Sequence, residues 1–405
     1  MLYSLNYNVM KQKINLIKTG LYSLFLCAAC GCGVNPNIFS SMNLHPCGTA
    51  LSNLIANSSG NTDSWAAVCT YEGEQTPGHV FIWISAKNFL STKGEPTQSA
   101  HPDYDITGIK DPEAVTFDKE NNLYISSPSQ GYIYYINVRN LPSATPNMSA
   151  PINIDGTQLS SYQPSTFINN TYTSPRGLTF DPDDGNLYVV MEYPGPSNNN
   201  STSAIVQIKN PATANPTGTL VSTNFSDTGN GSAGQPNDVA EQCLGIAYSH
   251  AHQCFFLTDL YNQRLHQLSW GPGQSATNTT GNSLAEPNPA IVMPDSQYCF
   301  DVGISIDPTS QDSIYCTSSD GTTKCQLNGY AYANWNSYAN YSQTVSSVRT
   351  LDAPTPAPSP QYDAGYFVAW GVTVMVYKEN TGQTLLHEIL VDDAPQNKVV
   401  SFSTP

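Results

Sequence analysis

Charge is scarce in this chain. Asp, Glu, Lys and Arg make up 11% of its 405 residues, against about 25% in an ordinary soluble domain. That excludes coiled coils, which are built from Glu, Lys and Arg. Positive charge is the scarcer sign: 15 Lys and Arg stand against 31 Asp and Glu, a net −16. Such a balance makes nucleic acid a poor partner. No stretch reaches about 18 uninterrupted apolar residues, which excludes a polytopic membrane protein. The chain also lacks a G-x-S-x-G elbow, a Walker loop and, beyond residue 33, a C-x-x-C pair. What it does have is 24 Tyr, 28 Gly, 29 Pro and 39% hydrophobic residues. This composition favours strands and turns, with enough apolar matter for a large core.

The first 33 residues read as an export signal. Lys11, Lys13 and Lys18 form a basic front. Leu21 to Ala29 is an apolar run the size of a signal core and too short to cross a bilayer. Small residues then flank Cys30, with Ala28 and Ala29 before it and Gly31 after. This resembles a bacterial lipoprotein box, although Cys27 stands where that pattern has an aliphatic residue. The resemblance implies a signal over 1–29, lipidation of Cys30, a tether over 30–44 and a mature body over 45–405. It implies attachment to the cell envelope through the lipid alone, on the periplasmic or cell-surface side; simple secretion is the alternative. Cleavage would remove three lysines and no acid, leaving 12 Lys and Arg against 31 acids, a net −19.

Ten cysteines less Cys27 and a lipidated Cys30 leave eight, an even number that favours disulfides in an exported chain. One pair follows from local geometry. Asp320-Gly321 is a strong two-residue hairpin turn. Counting outward from it, Ser319 faces Thr322 and Cys316 faces Cys325. That is a non-hydrogen-bonded pair, whose Cα approach of about 4.5 Å suits a cross-strand disulfide. Cys47, Cys69, Cys243, Cys254 and Cys299 are left unpaired by the sequence.

A unit of about sixty residues recurs. It begins at Asp111 (DPEAVTFDKENNLYISS), Ser174 (SPRGLTFDPDDGNLYVV), Gln242 (QCLGIAYSHAHQCFFLT), Phe300 (FDVGISIDPTSQDSIYC) and, worn, at Tyr362. A degenerate first copy holds Trp65–Tyr71 and His79–Ser85. Each unit has a small residue opening a short strand, a turn, a second apolar strand, and a third in which side chains alternate, with Ile84, Ile136, Ile208, Leu268, Leu327 and Ile389 at one third-strand position. Short runs separated by turn residues are strands. A four-stranded sheet cannot bury both faces alone, but sheets stacked around an axis can. The repeat therefore predicts an all-β fold: a six-bladed β-propeller of four-stranded antiparallel blades over 45–405.

The units resemble NHL-type propeller repeats. Pro175-Arg176-Gly177-Leu178 with Asp184-Gly185-Asn186-Leu187-Tyr188-Val189 fits the first half of that pattern, and Thr258-Asp259-Leu260-Tyr261-Asn262-Gln263-Arg264-Leu265 the second. The second-strand Asp survives only as Asp259; Ser127, Met191, Ser318 and Lys378 stand at its equivalents.

Propeller sites gather at the mouth of the central channel, where the innermost strands begin. Those positions hold Glu113, Arg176, Asp301 and Asp363 among apolar residues. A resemblance to six-bladed, metal-dependent lactone hydrolases of the gluconolactonase type implies one divalent ion, such as calcium, held by Glu113, Asp301 and Asp363, with Asn237 or Asp238 nearby. Leu244, Val302 and Ala364 interrupt such a ring. Arg176 beside Glu113 reads instead as a channel-mouth ion pair between adjacent blades. His250 and His252 form half of a zinc pattern, or a polar hairpin turn. The leading expectation is a monomeric, cofactor-free binding or scaffolding module for a protein or glycan at the bacterial envelope. The alternative is a metal-dependent hydrolase or lyase.

Overall fold

The computed structural model of the protein describes residues 38–42, 44–52, 55–56, 62–73, 75–86, 101–144, 150–170, 172–192, 203–222, 243–259, 264–271, 291–292, 298–306, 312–319, 325–334, 346–351, 369–378, 384–393 and 398–403. The signal segment, Cys30, Asn237, Asp238, Asp363 and the Pro-rich run 353–360 lie outside them. Among the described residues no helix is long and apolar enough to cross a membrane.

The chain folds into a succession of small sheets. The first contains His45–Leu51, Ala66–Tyr71, Val80–Trp83 and Tyr104–Thr107 in order. The second contains Val115–Phe117, Asn122–Ser127, Tyr132–Asn137 and Ser160–Tyr162. Ser174–Asp181, Asn186–Glu192, Ser203–Lys209 and Thr217–Ser222 form the third. Cys243–Ser249, Cys254–Asp259, Arg264–Ser269 and Ile291–Val292 form the fourth, and Tyr298–Ile306, Ser313–Ser319, Cys325–Ala331 and Ser346–Leu351 the fifth. Ala369–Lys378, Thr384–Asp393 and Lys398–Ser403 form the last. Each sheet's first strand contacts the first strand of the next, and the last, Ala369–Lys378, returns to His45–Leu51. This is a propeller arrangement, with the first strands innermost.

Side-chain alternation explains why the sheets stack. In Asn186–Glu192 every residue is buried. Leu187, Val189 and Met191 pack with Tyr124 and Ile133 of the second sheet. Tyr188 and Val190 point the other way, onto Ile246, Phe255 and Leu257 of the fourth. A period of two thus feeds two interfaces from one strand, which is why its sequence is a continuous apolar run. The recurring Asn-Leu-Tyr spelling has a polar reason as well. The Tyr124 hydroxyl donates to Asp118 Oδ2 and the Tyr188 hydroxyl to Asp184 Oδ2, both at 2.8 Å, tying each second strand to the turn before it.

The expected uniform four-stranded blade is present in four sheets. The first sheet departs from it, because Ile152–Asp155 adds a fifth strand parallel to Tyr104–Thr107. The chain leaves the second sheet, covers the first sheet's outer edge, and returns as Ser160–Tyr162, which leaves that edge no longer open. The last sheet shows three strands among the described residues. Its sequence register also needs correcting. Lys378, placed at the second-strand Asp position, ends the innermost strand instead, and Ile389 lies on the second strand rather than the third. The small residue described on this inner strand is Gly371; Gly365, which follows Ala364 in the sequence reading, lies outside the described residues.

The 30–44 tether is not all linker. Ile38–Met42 is a short helix. Its Phe39 is fully buried between Phe81 and Trp83 of the first sheet and Leu390 and Val399 of the last. Ring centroids lie 5.7 Å apart for Phe39–Phe81 and 6.3 Å for Phe39–Trp83. The seam where the ring closes is thus filled from the N-terminal side.

The expected Cys316–Cys325 disulfide is not formed. Cys316 is a buried free thiol that faces Asn328, while Ser319 faces Cys325. Seven consecutive pairs join these strands and end at Ser319 opposite Cys325, a register different from the one that the two-residue Asp-Gly turn predicts; residues 320–324 lie outside the described residues. The continuous ladder, with Leu327 and Ile314 buried, prevails over the local turn preference.

The small residue at the start of each inner strand follows from crowding at the axis. A Cβ on Gly177 would run into the Leu244 carbonyl oxygen and stand 3.1 Å from the Ile246 nitrogen. Both obstacles are backbone and cannot rotate away. Gly177→Ala should therefore lower stability by about 1–3 kcal/mol through overpacking, read as a lower urea midpoint at unchanged slope.

Candidate functional site

The innermost strands surround an axial cavity of about 300 Å³. Gly48, Ala114, Gly177 and Gly371 line one end, and Phe117, Phe180, Tyr248 and Val374 the other. Glu113 and Arg176 stand one residue ahead of Ala114 and Gly177, at the small-residue mouth.

The structure brings these two together across the interface of the second and third sheets. Arg176 donates through NH1 to Glu113 Oε2 at 2.5 Å and through Nε to Glu192 Oε2 at 2.8 Å. Glu113 is 1% exposed, and its Oε1 has no hydrogen-bond partner among the described residues. Glu192 comes from the second strand of the third sheet, where the bulge at Arg176 and Gly177 brings it within reach. Among the described residues, two carboxylates share one guanidinium at this mouth. The backbone of Asp301 lies in Tyr298–Ile306; its side chain and all of Asp363 fall outside what is described.

A second buried carboxylate was missed by sequence reasoning. Asp392 is 0% exposed on the second strand of the last sheet. Thr49, which lines the channel, donates its hydroxyl to Asp392 Oδ1 at 2.5 Å. Oδ2 has no hydrogen-bond partner among the described residues and lies over Gly371, where a Cβ could not fit. Burial pushes this carboxyl up to about 7, against a smaller opposing pull from the Thr49 hydroxyl. The sequence signal was the spacing between Gly371 and Asp392, hidden by the misplaced register.

The two histidines of the His-x-His diverge. His250 Nδ1 lies 2.8 Å from Asp183 Oδ2 and 3.7 Å from Asp181 Oδ1, at the turn of the third sheet. His252 Nε2 instead meets Asp312 Oδ1 at 3.0 Å and stacks on Tyr332 with centroids 3.5 Å apart. They do not form half of one zinc site.

No protein-family model matches the chain, and no curated protein sequence does. Solved structures resemble it loosely. A luciferin-regenerating enzyme aligns at 11% identity and a TM-score of 0.47, covering 87% of this chain and 89% of its own. A putative 6-phosphogluconolactonase from Bacteroides uniformis aligns at 10% and 0.43, covering 87% and 80%. A streptogramin B lyase aligns at 10% and 0.35, covering 88% and 92%. Likeness this loose says nothing about activity.

Proposed function

We propose that the chain is a non-catalytic binding propeller displayed at the bacterial envelope. In this reading the five-stranded first sheet and the three-stranded last sheet complete a ring of six blades, supported by the unbroken circuit of contacts between first strands. Export through residues 1–29 and lipidation at Cys30 supply the location.

One observation carries the reading. Arg176 is drawn in between Glu113 and Glu192. The gluconolactonase-like alternative needs a divalent ion coordinated by Glu113, but here an internal cation already answers that carboxylate. Of that donor set, Glu113 is the member whose side chain is described, and its Oε2 is held by Arg176. With two acids to one base, the mouth suits a ligand that brings hydrogen-bond donors, such as the hydroxyls of a glycan or a basic side chain.

Calcium should leave the unfolding midpoint of the purified protein unchanged, and no divalent ion should co-purify in stoichiometric amount. A bound ion at one per chain, lost in Glu113→Gln, would overturn the reading. Immobilised wild-type protein should recover a partner from envelope extracts and Glu192→Gln should lose it; equal recovery by both would remove the mouth from the interface.

A further inference from the structure

We infer that Cys47 and Cys69 form a redox-sensitive lock, closing to a disulfide that pins the innermost strand of the first sheet. The inference stands apart from the identity of any ligand at the mouth. The two residues lie on the paired strands His45–Leu51 and Ala66–Tyr71, where the register steps from Pro46 opposite Thr70 to Gly48 opposite Cys69. Cys47 is the extra residue of that bulge. A bulge re-aims a side chain, and here the two sulfurs sit 3.4 Å apart. Both residues are 0% exposed and present as thiols. A disulfide spans about 2.05 Å, so bonding needs the sulfurs to close by about 1.4 Å, a change within reach of small side-chain rotations.

The position makes the bond consequential. The Cys47 thiol also reaches the Pro112 carbonyl at 3.2 Å, just ahead of Glu113. Two residues along the same strand, Thr49 holds Asp392. A covalent tie at Cys47 therefore fixes the strand against which both buried carboxylates are set. Burial raises the thiol titration of both cysteines, Cys47 well above its ordinary range, so the closed, reduced pair is sluggish and bonding belongs to the folding stage.

The chemistry balances through thiol–disulfide exchange. One thiolate attacks an oxidised small-molecule or protein disulfide and displaces one of its sulfurs as a thiol. The second cysteine then attacks the mixed disulfide and releases the other. Cys47 and Cys69 together lose two protons and two electrons, and the oxidant is reduced to two thiols.

The test refolds the reduced, denatured full chain in a buffer of oxidised and reduced glutathione. Remaining thiols are then alkylated in denaturant without reductant, and the digest is analysed by mass spectrometry. The expected product is a Cys47 peptide joined to a Cys69 peptide, lighter by two hydrogens than their sum. Both cysteines alkylated, or each joined elsewhere, overturns the inference. A second measurement compares unfolding midpoints with and without reductant in wild type, Cys47→Ala and Cys69→Ala. The reductant-dependent drop should be several degrees larger in wild type; the same drop in all three overturns the lock.

Discussion

Arg176→Met should cost about 3–5 kcal/mol of stability, the effect of stranding one partner of a buried ion pair. Glu113 is 1% exposed and Arg176 donates to it at 2.5 Å, so a methionine leaves a carboxylate with neither water nor a counter-charge. The cost resides in the stranded charge, not in the lost contact alone. Adding Glu113→Gln to Arg176→Met should therefore recover most of the loss, although it removes a second polar group. Urea unfolding of the wild type, both single variants and the double reads both effects. A single variant that loses under 1 kcal/mol would show that the ion pair is incidental.

The second large effect comes from Asp392. Its folded titration lies near 7 because burial disfavours the charged form. A carboxyl raised in this way stabilises the folded state fully below its ordinary range and loses that contribution as pH rises through about 7. At about 1.4 kcal/mol for each unit of displacement, wild-type stability should fall by on the order of 4 kcal/mol between pH 4 and pH 8 on account of this residue. Asp392→Asn keeps an acceptor for Thr49 and cannot ionise, so its profile should lack that component. Glu72, Asp103 and Asp181 are also raised by burial and will leave a residual slope of the same sign. The difference between the two profiles isolates Asp392, and parallel profiles would refute the assignment.

Much of the architecture was legible in spelling. Leu187-Tyr188-Val189 and its relatives announce strands buried on both faces, and the small residue before each inner strand announces crowding at an axis. The Glu113–Arg176 pair could be named because both residues precede that small residue in neighbouring units. Legibility failed where the repeat wears out. In the last copy, Gly365 and Gly371 compete as the small opener, and it is Gly371 that packs against Cys47 and Asp392. The error displaced Ile389 by one strand and hid Asp392. The Cys316–Cys325 pairing failed for a different reason: a two-residue turn preference is worth little against seven ladder pairs that bury Ile314, Tyr315, Leu327 and Tyr330. Cys47 could not be matched with Cys69 because a bulge is a property of the pairing, and no local signal marks the extra residue.

Phe39 gives the ring a mechanical address. A pull applied at Ile38–Met42 is borne by this side chain, wedged between the opening and closing sheets. Extracting one aromatic plug would part those two sheets before any blade had to unravel. In a single-molecule stretching experiment pulled from that helix, the earliest rupture belongs at the seam, and Phe39→Ala should lower its force while leaving the later, blade-by-blade events in place.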